Sequence, residues 1–133
     1  MTLYIDASAF VKLVLLEDET GPLQRDIDPH AGLLSSEILE VEVVLATRRR
    51  SGDVALARQR LANVELFAVG ARIRRRASEF AELRALDAIH LATALEAPGL
   101  DVFYCYDDRL AKVARAAGLT VRSPGYAPPH GED

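Results

Sequence analysis

Four acids, Asp6, Glu42, Asp87 and Asp107, stand at places where a folded chain does not leave a charge without compensation. Asp6 follows the apolar run Leu3-Tyr4-Ile5, and Asp107 follows Val102-Phe103-Tyr104-Cys105-Tyr106. Asp87 opens a stretch to Leu95 that is apolar on nearly every side of a helix and shares a stripe with Leu91 and Ala94. At about 100° per residue, Glu42 falls within the arc of Leu39, Val43 and Ala46, bounded by Ile38 and Leu45, whereas Glu40 falls beside Thr47 and away from the arc's centre. Taken singly, each acid has an ordinary alternative. Glu42 could pair with an arginine or a helix-terminal amide, Asp87 could cap its helix, and Asp107 or Asp108 could cap the next one. Taken together, the four call for a common partner, and a divalent cation is the simplest. All-oxygen ligands suit Mg²⁺ or Mn²⁺, which keep several waters and bridge to phosphate. Without metal, mutual repulsion raises some of these carboxyl pKa values; with it, a water is acidified and placed for in-line attack on a phosphodiester.

The elements that must position these acids alternate along the chain. Strands are expected at Leu3–Ile5, Gly32–Leu34, Val64–Val69, Asp101–Tyr106 and Leu119–Arg122. Between them, helices are expected at Ala7–Leu16, after Gly21-Pro22, from Ser35 or Ser36 to Arg50, and at Asp53–Ala62, Ala71–Leu83, Leu86–Ala97 and Asp108–Ala117, the last stopped by Gly118. This alternation implies one α/β domain over residues 1–123, with a central parallel sheet of about five strands flanked by helices on both faces; residues 124–133, rich in proline and glycine, read as a flexible C-terminal tail. In such a sheet ligands bind beyond the carboxyl ends of the strands, where both Asp6 and Asp107 fall.

At 133 residues and 50% hydrophobic, the chain supports one core. No apolar run spans a bilayer and no signal peptide is evident, so a cytoplasmic protein without membrane contact is expected. A lone Cys105 and three histidines leave no disulfide or structural zinc site to propose. His90 reads as a packed core histidine before it reads as a base, and Cys105 as a small buried residue before a nucleophile. The net charge of -4 does not advertise a nucleic-acid binder, but the basic residues are clustered at Arg48-Arg49-Arg50, at Arg58 and Arg60, and at Arg72, Arg74, Arg75 and Arg76. Either these are solvated helix faces or they form a phosphate track. Fourteen arginines against two lysines favour the track, since guanidinium binds phosphate bidentately.

The segments Tyr4–Leu13, Ser36–Val43, Leu86–Ala94 and Tyr106–Ala111 together resemble a PIN domain, and within that family the VapC-type toxins of bacterial toxin–antitoxin pairs. The likeness runs from residue 3 to about 122. It implies a Mg²⁺- or Mn²⁺-dependent endoribonuclease, the toxin of a type II pair, whose metal is held by Asp6, Glu42, Asp87 and Asp107, with Ser8 organising the first acid. It also implies a homodimer, a VapB-type antitoxin that blocks the acidic pocket, and an RNA substrate for which Arg72, Arg74, Arg75, Arg76 and Arg109 are the candidate contacts. The family's Ser-to-Glu spacing supports Glu42 over Glu40, and its pattern favours Asp107 over Asp108, with Asp108 adding a contact. One departure is Cys105, where the family usually carries Thr or Ser, so a supporting hydroxyl is absent. The alternative is a catalytically weak or inactive module of the same fold that binds RNA or an antitoxin.

Overall fold

The computed structural model describes residues 1–127. Five parallel strands form one sheet: β1 Thr2–Ile5, β2 Gly32–Ser36, β3 Glu65–Phe67, β4 Val102–Tyr104 and β5 Val121–Arg122, in the spatial order β3-β2-β1-β4-β5. Seven helices connect them among the described residues: α1 Ala7–Phe10, α2 Thr20–Asp26, α3 Ile38–Arg49, α4 Val54–Leu61, α5 Ala71–Ala77, α6 Ala85–Glu96 and α7 Asp108–Ala116. None of these helices is long and apolar enough to cross a membrane.

Parallel strands covered on both faces should be apolar on both, and the central strands β1 and β4 are. Leu3, Ile5, Val102 and Tyr104 point to one side, where they pack with Phe10, Leu23, Leu39 and Val43. Tyr4, Phe103 and Cys105 point to the other, against Leu91 and Ala94 of α6 and Leu110 and Ala114 of α7. The period-two alternation of a strand thus divides a continuous apolar run between two cores.

The expected first helix stops early. After Phe10 the chain tightens into a 3-10 turn over Val11–Leu13, because the Lys12 carbonyl accepts from the Thr20 hydroxyl at 2.7 Å instead of continuing the helical ladder. Lys12 Nζ then draws back the acidic run through Glu17 (2.8 Å) and Glu19 (2.9 Å). The α5 helix ends at Ala77 rather than Leu83, with turns through residues 78–84 before α6 begins. The β2 strand runs on through Ser36, so neither Ser35 nor Ser36 is the cap of α3; Glu37 occupies that position, and Ser36 Oγ accepts weakly from Ile38 N at 3.3 Å. Gly118 ends α7 as expected. At φ +101° it adopts the left-handed conformation, with Gly118 N donating to Arg115 O and Leu119 N to Ala114 O, the paired bonds of a Schellman stop. Of the segment expected to be a tail, residues 124–127 touch the domain: the Tyr106 hydroxyl donates to Pro124 O and the Tyr126 hydroxyl to the Asp108 carboxylate. Residues 128–133 lie outside the described residues.

Candidate active site

Chain order reverses across the sheet between β1 and β4. From β1 the chain builds outward through β2 and β3, then returns to the other side of β1 for β4 and β5. Such a reversal opens a crevice at the carboxyl ends of the two central strands, because the connections leave in opposite directions. Asp6 follows β1 and Asp107 lies three residues beyond the end of β4. Their loops are stitched together: Asp6 N donates to Tyr104 O at 3.2 Å, and Tyr106 N donates to Ser8 Oγ at 2.8 Å.

Asp6 is only 2% exposed. Its Oδ1 caps α1 by accepting from Ala9 N at 2.9 Å, and the Ser8 hydroxyl lies 2.7 and 2.9 Å from its two oxygens, where it donates a shared proton. Asp107 caps α7 through Oδ1, accepting from Leu110 N at 2.8 Å. The capping expectation therefore holds for Asp107, leaving Oδ2 without a hydrogen bond among the described residues. Asp87 is no cap: Arg84 occupies that position before α6, and Asp87 sits in the first turn with neither oxygen hydrogen-bonded among the described residues.

Glu42 has neither the arginine nor the helix amide expected as its ordinary partner. His90 Nε2 donates to its Oε1 at 2.7 Å. The buried side of α3 runs through Leu39, Val43, Val44 and Thr47, while Leu45 is exposed, so Glu42 lies at the edge of the buried face rather than within it. Glu40 turns outward to Arg58 at 3.2 Å. His90 is a core histidine, 1% exposed, as its surroundings in sequence suggest. Among the described residues no fully buried side-chain N or O lacks a partner, so Glu42 Oε2, Asp107 Oδ2 and the Asp87 oxygens are not fully buried.

Cys105 is fully buried between Ser8 Oγ (3.9 Å) and Asp107, whose N–H points at its sulfur at 3.4 Å. Burial, with the Asp6 charge added, pushes its thiol well above the ordinary range, which suits packing and not attack. Asp108 is exposed and engaged by Tyr126. The arginines divide by position. Arg72 and Arg76 both clamp Glu96, at 2.7 and 2.5 Å, and Arg74 donates to Val69 O. Glu96 ends α6, nine residues and about 13 Å along the axis from Asp87. Arg75 is exposed. Arg109, in the first turn of α7, lines with Lys112, Glu82 and Asp108 an open groove of about 840 Å³ and has no ion pair among the described residues. Lys112 and the exposed Arg84 before α6 escaped the sequence reading; their only signal was proximity in chain to Asp107 and Asp87.

The four acids feel one another. Burial raises the Asp87 carboxyl first, and the charges of Asp107, Asp6 and Glu42 raise it further. Burial likewise raises Asp6, against the charge of the His90 ring and the hydrogen bonds from Ser8 and Ala9, which lower it. Uncompensated like charge among hard oxygen donors with open lone pairs fits a Mg²⁺- or Mn²⁺-type ion. Among the described residues no three His, Cys, Asp or Glu side chains form a group compact enough to hold an ion by themselves. A raised carboxyl pKa holds its proton more tightly in the folded than in the unfolded chain. Its contribution to stability is therefore lost as pH rises from about 4 through the folded value. Asp87→Asn is accordingly expected to stabilise the metal-free protein at pH 7 by about 0.5–2 kcal/mol. Its Tm advantage over wild type should shrink as pH falls toward 4, and an advantage independent of pH would show that charge is not the cause.

An α/β domain with carboxylates at the switch point of a parallel sheet belongs to the class that binds its ligands there. The chain belongs to the PIN-domain family, whose model matches residues 3–116. It is 37% identical over 133 aligned residues to ribonuclease VapC35 of Mycobacterium tuberculosis, covering 94% of this chain and 98% of that protein. It is 36% identical over 127 residues to ribonuclease VapC46 of the same organism, covering 92% and 97%. Among solved structures, the fold is shared with the M. tuberculosis toxin VapC20, described as cleaving the sarcin–ricin loop (TM-score 0.71, 20% identity, 89% of this chain and 96% of that one). It is also shared with a toxin–antitoxin complex from Klebsiella pneumoniae (TM-score 0.68, 18% identity, 92% and 97%).

Proposed function

We propose that this protein is a metal-dependent endoribonuclease, the toxin of a type II toxin–antitoxin pair, which hydrolyses RNA phosphodiesters in the cytoplasm at Asp6, Glu42, Asp87 and Asp107. The observation that carries this reading is Asp87, a carboxylate without a hydrogen bond among the described residues, raised by burial and by three neighbouring acids at the crevice of a parallel sheet. Identity above 30% to curated ribonucleases over nearly the whole chain supports RNA as the substrate.

In this reading Asp6, Glu42 and Asp107 are each tied through a hydrogen-bonded Oδ1 or Oε1 to Ala9 N, His90 Nε2 and Leu110 N. Ser8 holds the Asp6 carboxylate through both of its oxygens, while Glu42 Oε2 and Asp107 Oδ2 have no hydrogen bond among the described residues. Asp87 is the acid without a hydrogen bond among the described residues, suited to take a proton from the attacking water at an Oδ. These four acids would hold a Mg²⁺ or Mn²⁺ ion, which when bound would supply an acidified water and neutralise charge on the phosphoryl oxygens. Water oxygen bonds to phosphorus as the bond to one ribose oxygen breaks.

Four carboxylates repel a polyanion, so RNA needs cationic flanks. Arg109 and Lys112 fit this role best, since they line an open groove beside Asp108, whereas Arg72 and Arg76 are paired with Glu96 at the far end of α6. Replacing both Arg109 and Lys112 by Ala is expected to weaken RNA binding uniformly across sequences and to flatten the slope of log K against log salt by about 1.4–1.8. Arg72→Ala with Arg76→Ala should change that slope less; the reverse ranking would put the track on α5. A homodimer and a small VapB-type antitoxin covering the acidic crevice complete the reading.

The test is incubation of purified protein with total cellular RNA in Mg²⁺ or Mn²⁺. Discrete fragments that disappear in EDTA are expected, and intact RNA under both metals would favour a binding module of the same fold.

A further inference from the structure

Tyr4 is fully buried, and its hydroxyl lies 2.8 Å from His90 Nδ1. Its ring stacks on Phe103 with centroids 5.2 Å apart and meets the imidazole edge-on at 83°. On the other side of that imidazole, Nε2 is 2.7 Å from Glu42 Oε1. A single chain of hydrogen bonds therefore runs from the central strand β1, through α6, to α3. An ionised carboxylate can only accept, so Nε2 carries the proton that Glu42 receives. In the Nε2–H tautomer Nδ1 is the acceptor, and the phenol donates to it.

We propose that Tyr4 and His90 are positioning residues for Glu42, fixing the imidazole as its Nε2–H tautomer so that one carboxylate oxygen is held and the other, Oε2, is presented to the cation. This rests on the metal-nuclease reading above and extends it to two residues that touch neither ion nor substrate. Glu42 stands at the edge of α3's buried face, on a long side chain with three rotatable bonds, and without the imidazole nothing described here would hold it. Carboxylate ligands lose orientation when their hydrogen-bonding partner is removed, at a typical cost of tenfold to a hundredfold in metal affinity.

The experiment follows Mn²⁺ binding by calorimetry in the full chain, with Tm measured in EDTA alongside. His90→Leu is expected to weaken Mn²⁺ binding about 10–100-fold. His90→Gln, whose amide N–H can reach where Nε2 stood, should recover most of that loss. Tyr4→Phe should weaken binding about two- to tenfold, the equivalent of one net hydrogen bond. A purely structural tie predicts instead that affinity is unchanged wherever Tm shows the variant folded, and that result overturns the proposal. Because these variants disturb a core, ¹⁵N resonances of His90 in the wild-type protein at pH 8 provide an independent reading: Nε2–H with an unprotonated Nδ1 is expected, and a proton on Nδ1 overturns the proposal. Absence of any Mn²⁺ binding in wild type would remove the metal site itself, whereas equal affinity in wild type and folded His90→Leu removes only the positioning role.

Discussion

Asp6→Asn is expected to lose RNA cleavage by about 10³-fold or more while keeping its fold. The carboxylate has two separable duties in the structure. As the cap of α1 it accepts from Ala9 N at 2.9 Å, and Asn serves as well as Asp in that position. The Ser8 hydroxyl, 2.7 Å from Oδ1, can keep donating to the amide oxygen. What the substitution removes is the negative charge and the second oxygen as an anionic ligand. Since Asp6 is buried and its carboxyl is raised chiefly by that burial, neutralising it also removes a cost of folding, so the Tm in EDTA should not fall. The measurement pairs initial cleavage rates with thermal unfolding. A variant that unfolds at its wild-type temperature and still cuts RNA at the wild-type rate would remove Asp6 from the chemistry.

The largest expected effect on stability comes from Phe103→Ala, at about 3–5 kcal/mol. Phe103 is 0% exposed in the middle of β4, stacked on Tyr4 and surrounded by Leu91, Leu110 and Ala114 from two helices. Truncation leaves a void that a sheet residue paired on both sides, to β1 and to β5, has little freedom to close. Against a total of about 5–15 kcal/mol for a domain, that loss leaves the chain marginal. Urea unfolding should show the midpoint lowered at unchanged slope, and Phe103→Leu should cost clearly less. Equal midpoints for Phe103→Ala and wild type would mean that β4 is not packed as described. The same strand leads into Asp107, so Phe103→Ala should also impair cleavage under conditions where Asp6→Asn remains fully folded.

Sequence alone carried the sheet because its evidence is local and periodic: runs such as Leu3–Ile5 and Val102–Tyr104 are apolar on both faces, as only a doubly covered parallel strand requires. It also placed Asp6 and Asp107 beyond strand ends, since both follow such runs and the alternation of elements sets strand ends on one edge. Where it departed, long-range contacts decided. The first helix was cut short by a hydroxyl eight residues away, Thr20 on the Lys12 carbonyl, which no periodicity registers. The partner of Glu42 lay 48 residues distant on a helix whose packing angle is a tertiary property, so an arginine or a helix end was the natural expectation and His90 was not. Asp87 shows the opposite case. Its sequence position suits a cap, yet the helix begins two residues earlier at Ala85, and a carboxylate with no structural duty is the stronger pointer to chemistry. Arginine clusters are conspicuous in sequence, but Glu96 takes up Arg72 and Arg76, while the groove-lining Arg109 and Lys112 stand in a less conspicuous run.

The most direct test of the central claim, that these four acids form one metal-dependent centre for RNA hydrolysis, is a Mn²⁺ titration that follows ion binding and RNA cleavage in the same samples of wild-type and Asp87→Asn protein. Cleavage is expected to rise with occupancy of the wild-type site, with both binding and cleavage severely reduced in the variant although its fold is kept. Cleavage that persists in EDTA, or a variant that binds Mn²⁺ and cuts RNA as wild type does, would contradict it.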